Sequence, residues 1–179
     1  LQNESIFFNS LETNFGGRLF YFNDTNQLTF EPRVSLSYEI MKGFYLKGAA
    51  AIANQYLHLI TRNDIALPSD LWYPATVNIR PSRSTQYVFG IDKYFDEEAY
   101  QSSVEIYYRD MKNIYEFKNS PEINPLNNSI EDQFVEGVGE TYGIELFFQK
   151  REGSFIGWIG YTLSWTKRRF DELNLGKVF

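Results

Sequence analysis

Few side chains in this 179-residue sequence could take part in bond-making chemistry. The single histidine is His58, and there is no cysteine. A zinc site would have to rest on carboxylates, against the usual preference of zinc for thiolate and imidazole. A nucleophilic triad would have to use His58, and no Gly-x-Ser-x-Gly turn accompanies it. His58 therefore reads as a histidine at a strand end. Glu97 and Glu98 fall in a tight turn and read as solvated. Asn3-Glu4-Ser5, Asn23-Asp24-Thr25 and Asn127-Asn128-Ser129 match glycosylation sequons, which chance explains in so asparagine-rich a chain. Gly16-Gly17 and Gly137-Val138-Gly139 open no helix and are not phosphate loops. No catalytic residue, metal or cofactor is expected, and the chain reads as non-enzymatic.

The charges that recur in a pattern are of another kind. Arg33, Lys47, Glu105, Arg109, Glu145 and Gln149 each stand on the polar side of an alternating segment. The clearest such segment is Thr29 to Ile40, TFEPRVSLSYEI. Thr29, Glu31, Arg33, Ser35, Ser37 and Glu39 share one side; Phe30, Pro32, Val34, Leu36, Tyr38 and Ile40 share the other. A period of two marks a β-strand with one wet and one greasy face. Charges of both signs on the inward face suit an aqueous lumen, although they would equally suit the solvent face of a half-exposed sheet.

The same pattern predicts strands over Asn3–Phe8, Asn14–Phe22, Gln27–Ile40, Phe44–Gln55, Ser84–Phe95, Tyr100–Phe117, Glu140–Lys150 and Phe155–Arg168. Connections near residues 11, 42, 97 and 153 are tight. Those over Tyr56–Arg83 and Lys118–Gly139 are long and carry prolines, and the chain ends inside what reads as a third; only Asn23–Asn26 breaks the alternation. Short turns at one end and long loops at the other are expected of outer-membrane barrels. Most of the predicted strands also meet the roughly 9–11 residues a tilted membrane strand needs. The expected fold is an all-β, antiparallel up-and-down meander of seven or eight strands, part of a transmembrane β-barrel. Aromatics at 18% suit both strands and membrane-interface girdles. The alternatives are a soluble β-barrel with a ligand inside and a small complete outer-membrane barrel with a structural or adhesive role.

Net charge is −6, which argues against nucleic acid as a partner. No run of about 18 apolar residues exists, so no transmembrane helix is expected. Mean hydropathy is −0.39, a value that a membrane barrel can carry because every second residue faces away from lipid. No signal peptide is visible at Leu1.

Longer stretches carry a resemblance. Tyr142 to Lys150 (YGIELFFQK), Gly157 to Ser164 (GWIGYTLS), Arg168 to Asn174 and Gly176-Lys177 resemble the barrel of TonB-dependent outer-membrane receptors. Phe30 to Tyr38, Gln55 to His58, Leu67 to Trp72, Pro81 to Tyr87 and Glu105 to Asn113 fit the same family. The style is that of the Bacteroidetes type with a carboxypeptidase-like N-terminal domain. The resemblance implies a 22-stranded barrel filled by an N-terminal plug in the outer membrane of a Gram-negative bacterium. It implies uptake of iron chelates, cobalamin or glycans, energised through TonB. Expected partners are outer-membrane lipid, the TonB complex acting through a plug-bearing part not seen in this sequence, a small nutrient ligand and a surface lipoprotein. The chain then reads as an internal barrel fragment, residues 1–179, without its plug. The outer loops would cover the substrate entrance, with Tyr56, His58, Trp72, Tyr73, Arg80 and Arg83 as candidate contacts.

Overall fold

The computed structural model describes the backbone of residues 2–7 and residues 10–60, 71–118 and 129–179, the Leu71 side chain excepted. Leu67–Asp70, Pro121, Pro125 and Asn127-Asn128, which figured in the sequence reading, lie outside the described residues. The strands are β1 (Gln2–Phe7), β2 (Leu11–Phe22), β3 (Gln27–Met41), β4 (Phe44–Gln55), β5 (Leu57–Ile60), β6 (Leu71–Pro74), β7 (Ser82–Phe95), β8 (Tyr100–Phe117), β9 (Phe134–Lys150) and β10 (Gly157–Phe170). Eight of them form one antiparallel sheet in the order β1-β2-β3-β4-β7-β8-β9-β10, while β5 and β6 form a ladder of their own. The meander is therefore as expected.

The alanine-rich segment Phe44–Gln55 is strand, not helix. Its small residues lie between larger neighbours: Gly48 opposes Leu36 and Phe89, and Ala50 opposes Val34 and Tyr87. One detail differs from expectation. The prolines of the connection after β4 work against a regular ladder, yet it contains the β5–β6 hairpin, with Pro74 at the end of β6 where a missing donor costs little. At the end of β10, Phe179 exchanges backbone hydrogen bonds with Arg168.

Registration aligns every alternating segment. One lateral row runs Leu36, Gly48, Phe89, Ile106, Ile144, Leu163. The next same-face row towards the long loops is Val34, Ala50, Tyr87, Tyr108, Tyr142, Trp165. At the opposite margin Phe95 stacks on Tyr100, 5.3 Å between centroids, and Lys150 lies over the Tyr100 ring at 5.5 Å. Tyr100 and Tyr108 are eight residues apart on β8, or about 27 Å of strand at ~3.4 Å per residue. Tilted by about 40°, that spans the apolar band of an outer-membrane barrel.

Where the apolar side chains are buried decides between membrane and water. A soluble sheet packs its greasy face against a second layer. Here that face is open: Phe30 is 62% exposed, Ile106 52% and Leu36 47%. The described hydrophobic clusters instead gather at the long-loop end, around Ile60, Ile79, Tyr115 and Phe134, and around Val135, Phe170 and Leu173. So broad an open apolar belt is what hydrocarbon covers, and a water-soluble protein would not leave it bare. The polar face, by contrast, shelters its charges. Glu31 is 2% exposed and Asp92 1%.

Candidate functional site

The long-loop end builds a cap from residues far apart in sequence. Its centre is Glu131, in the 3-10 turn Ile130–Gln133 that precedes β9. Ser129 caps that turn: its hydroxyl accepts from the Glu131 N–H, and the Asp132 carboxylate accepts from the Ser129 N–H. Glu131 then gathers the other loop. Tyr73 Oη and Thr76 Oγ1 donate to its Oε1 at 2.9 and 2.7 Å, and Asn78 Nδ2 donates to Oε2 at 2.7 Å. The donors from Asn78 and Thr76, helped by Tyr73, hold the Glu131 carboxyl below its usual range. Beneath it, Phe134 meets Tyr73 and Phe117 edge-on, each at 5.2 Å. Arg80 Nη2 donates to both Glu136 oxygens at 2.8 and 2.9 Å, and the Arg80 N–H donates to Tyr115 Oη at 2.9 Å.

His58 is inside this cap, 4% exposed, its ring edge-on to Tyr115 at 5.0 Å. Ser82 Oγ donates its one proton to the Asn113 carbonyl at 2.5 Å, so at 3.2 Å His58 Nδ1 must be the donor to Ser82 Oγ. Burial pushes the imidazole pKa below 6.5, a shift only partly offset by the Arg80 backbone. The sign follows. The unfolded cap takes up a proton at the ordinary histidine pKa while the folded cap resists it, so stability falls as pH drops below about 6.5. Glu131 acts separately. Its contribution is present above the ordinary carboxyl value of 4.5 and is lost as pH falls through its lower folded pKa. The hydrogen-exchange protection of residues 57–60 and 71–81, corrected for the intrinsic pH dependence of amide exchange, is therefore expected to fall between pH 7 and 5 in the wild type and to stay flat over that interval in His58→Gln.

The other face of the sheet holds two further features. Tyr56 lies on Phe20 and Phe22, centroids at 4.7 and 5.0 Å, and its hydroxyl meets Thr29 Oγ1. Beside them Arg18 Nε bonds Glu31 Oε2 at 2.8 Å, and Glu31 Oε1 accepts from Asn54 N and Nδ2 at 2.9 and 3.2 Å, so this buried carboxylate is fully partnered. Next along the wall is a recess of about 450 Å³ bordered by Gln55, Ser82, Ser84, Gln86, Arg109 and Met111. Among the described residues, Arg109 bonds only a neutral partner, the Gln86 amide oxygen, through Nε at 3.2 Å and Nη2 at 2.8 Å. Its charge is left for something else.

A family model described as "TonB dependent receptor-like, beta-barrel" matches residues 1–177. The chain belongs to the TonB-dependent receptor family. Among solved structures, it is similar to the RagAB peptide transporter, with a TM-score of 0.63 at 13% identity over 98% of this chain and 22% of that one. It is likewise similar to the RagAB peptide importer in a closed-closed state, with a TM-score of 0.63 at 12% identity over 99% of this chain and 23% of that one. The chain thus spans under a quarter of the length of those solved chains. No curated protein matches the sequence. As part of a TonB-dependent receptor barrel, the sheet lies in the outer membrane. Its apolar belt meets lipid and its polar face looks into the lumen.

In that frame the candidate contacts separate. Tyr56 is on the lumenal side. His58, Tyr73 and Arg80 come together in the cap, each engaged by a cap neighbour, and Trp72 projects from it at 58% exposure. Arg83 shares the strand parity of Tyr87 and Phe89, the lipid side of β7, although the residue borders the recess. Sequence reasoning missed Glu131 as the keystone of the cap. The Ser129-x-x-Asp132 spacing was a usable signal of the turn, but nothing local pointed to its three partners.

Proposed function

We propose that this chain forms part of the wall of a TonB-energised importer whose cargo is a hydrogen-bonding oligomer. A peptide is the first choice and a glycan the second, ahead of an iron chelate or cobalamin. The lumenal recess carries this reading. Amides and hydroxyls from Gln55, Ser82, Ser84 and Gln86 surround a guanidinium, Arg109, that has no carboxylate partner among the described residues. Such a set can bond a backbone amide or hydroxyl at several points and hold one carboxylate bidentately. That the two similar structures are a peptide transporter and a peptide importer supports the same choice. Energy would come from the TonB complex acting on the plug-bearing part of the receptor.

The cap supplies the second partner. In the β5–β6 hairpin His58 and Ile60 point into the cap, whereas Leu57, Leu59 and Trp72 are 47, 39 and 58% exposed. This small apolar face, with Tyr56 near the lumen beneath it, suits docking of a surface lipoprotein that closes over the entrance.

Arg109→Gln in the intact receptor tests the cargo. Losing one charge-assisted hydrogen-bonding group is worth about 1.5–3 kcal/mol, or roughly 10- to 100-fold in affinity. Calorimetry is expected to show that loss for oligopeptides with a free C-terminal carboxylate and little change for their C-terminal amides. Equal binding of both forms by wild type and variant would remove the recess from cargo recognition.

A further inference from the structure

The lipid-facing side carries a basic row. On β7, β8 and β10, Arg83, Lys112 and Arg169 stand in register: Arg83 pairs with Lys112, Lys112 with Val138, and Val138 with Arg169. All three are exposed. With strands about 4.8 Å apart, the Cα atoms span roughly 15 Å. Arg83 and Lys112 have no ion pair among the described residues, and Arg169 has only Asp171, at 3.5 Å and itself 89% exposed on its side chain. Two like charges placed directly opposite each other repel unless an anion lies between them.

The height of the row identifies the anion. It stands two same-face positions above Tyr87, Tyr108, Tyr142 and Trp165, or four residues of strand. At ~3.4 Å per residue and about 40° of tilt, that is roughly 10 Å above the aromatic girdle, where headgroups lie. In the intervening row Glu140 is taken by Lys167 at 3.1 Å, leaving Asp110 as the one acidic side chain there without an ion pair. We propose that Arg83, Lys112 and Arg169 form a binding site for the phosphorylated headgroup of an outer-leaflet lipid. Guanidinium forks match phosphate oxygens, and a polybasic strip at the membrane surface gains from anionic lipid without any defined pocket. Arg83 is thereby given a ligand on the outside of the wall.

The test uses the intact receptor in phosphatidylcholine vesicles doped with diphosphoryl lipid A or with its dephosphorylated form, with native mass spectrometry counting retained glycolipid. The wild type is expected to retain the phosphorylated form about tenfold better. The triple variant Arg83→Gln, Lys112→Gln, Arg169→Gln is expected to lose that preference, and Arg83→Lys, Lys112→Arg, Arg169→Lys to keep most of it. Heat-shifted gel mobility verifies that each variant is folded. The matched triple change at the other membrane margin, Lys42→Gln, Lys93→Gln, Lys150→Gln, should leave retention intact. Three outcomes overturn the proposal: no preference in the wild type, an equal loss from the other margin, or displacement of the lipid by inorganic phosphate at the same phosphorus concentration.

Discussion

Arginine at Leu36 and arginine at Ile144 are expected to impair assembly by the same amount, about 2 kcal/mol each in a row between the aromatic girdle and the bilayer midplane. The two residues lie on different hairpins, 108 positions apart in the chain, yet they occupy one lateral row through Gly48, Phe89 and Ile106. Depth in the membrane, not place in the sequence, sets the penalty. One residue away along the strands, Ser35→Arg and Glu145→Gln turn into the lumen and should change folding by far less. Reversible folding of the intact receptor into lipid vesicles, followed against urea, gives the comparison. A similar loss on both faces, or unequal losses at Leu36 and Ile144, would contradict the orientation and depth assigned to the belt.

Phe134→Ala is expected to release the cap while leaving the membrane strands folded. Its ring is 7% exposed and touches Tyr73 from one loop and Phe117 from β8. Truncating a buried phenylalanine costs about 3–5 kcal/mol, more than such a small cluster can lose without opening. Because the belt is covered by lipid and not by this cluster, the loss should stay local. Hydrogen exchange should rise across Leu57–Ile60, residues 75–81 and Ile130–Gln133, while protection in β3, β7 and β9 is retained. Global unfolding in the variant would mean that cap and wall are one cooperative unit.

These two experiments follow the line between what could and could not be read from the residues. The wall was legible because lipid and lumen impose a period of two over long runs, as in Thr29–Ile40, and no tertiary contact has to be known to see it. The alanines of Phe44–Gln55 were harder, since small residues there fill space left by Leu36, Tyr87 and Phe89 across the ladders. The cap was not legible. Tyr73 and Glu131 are 58 residues apart, both in proline-bearing connections, and only a folded wall brings those connections together. Arg80 and Arg83 were grouped as candidate contacts because both fall in the outer connection that would cover the substrate entrance. The first residues of β7 separate them: Arg80 turns into the cap on Glu136, while Arg83 enters the ladder beside Lys112.

The irregularity at Asn113 has a wider meaning. β8 carries one more residue than β9 between the Lys112–Val138 and Ile114–Gly137 pairs, with Asn113 in a left-handed conformation at φ 55°. Below it, odd-numbered side chains of β8 look into the lumen; above it, Tyr115 and Phe117 oppose Glu136 and Phe134 and turn the other way, towards the cap. A single inserted residue thus re-aims the upper end of β8, so that one strand serves the bilayer along most of its length and the aqueous exterior at its tip.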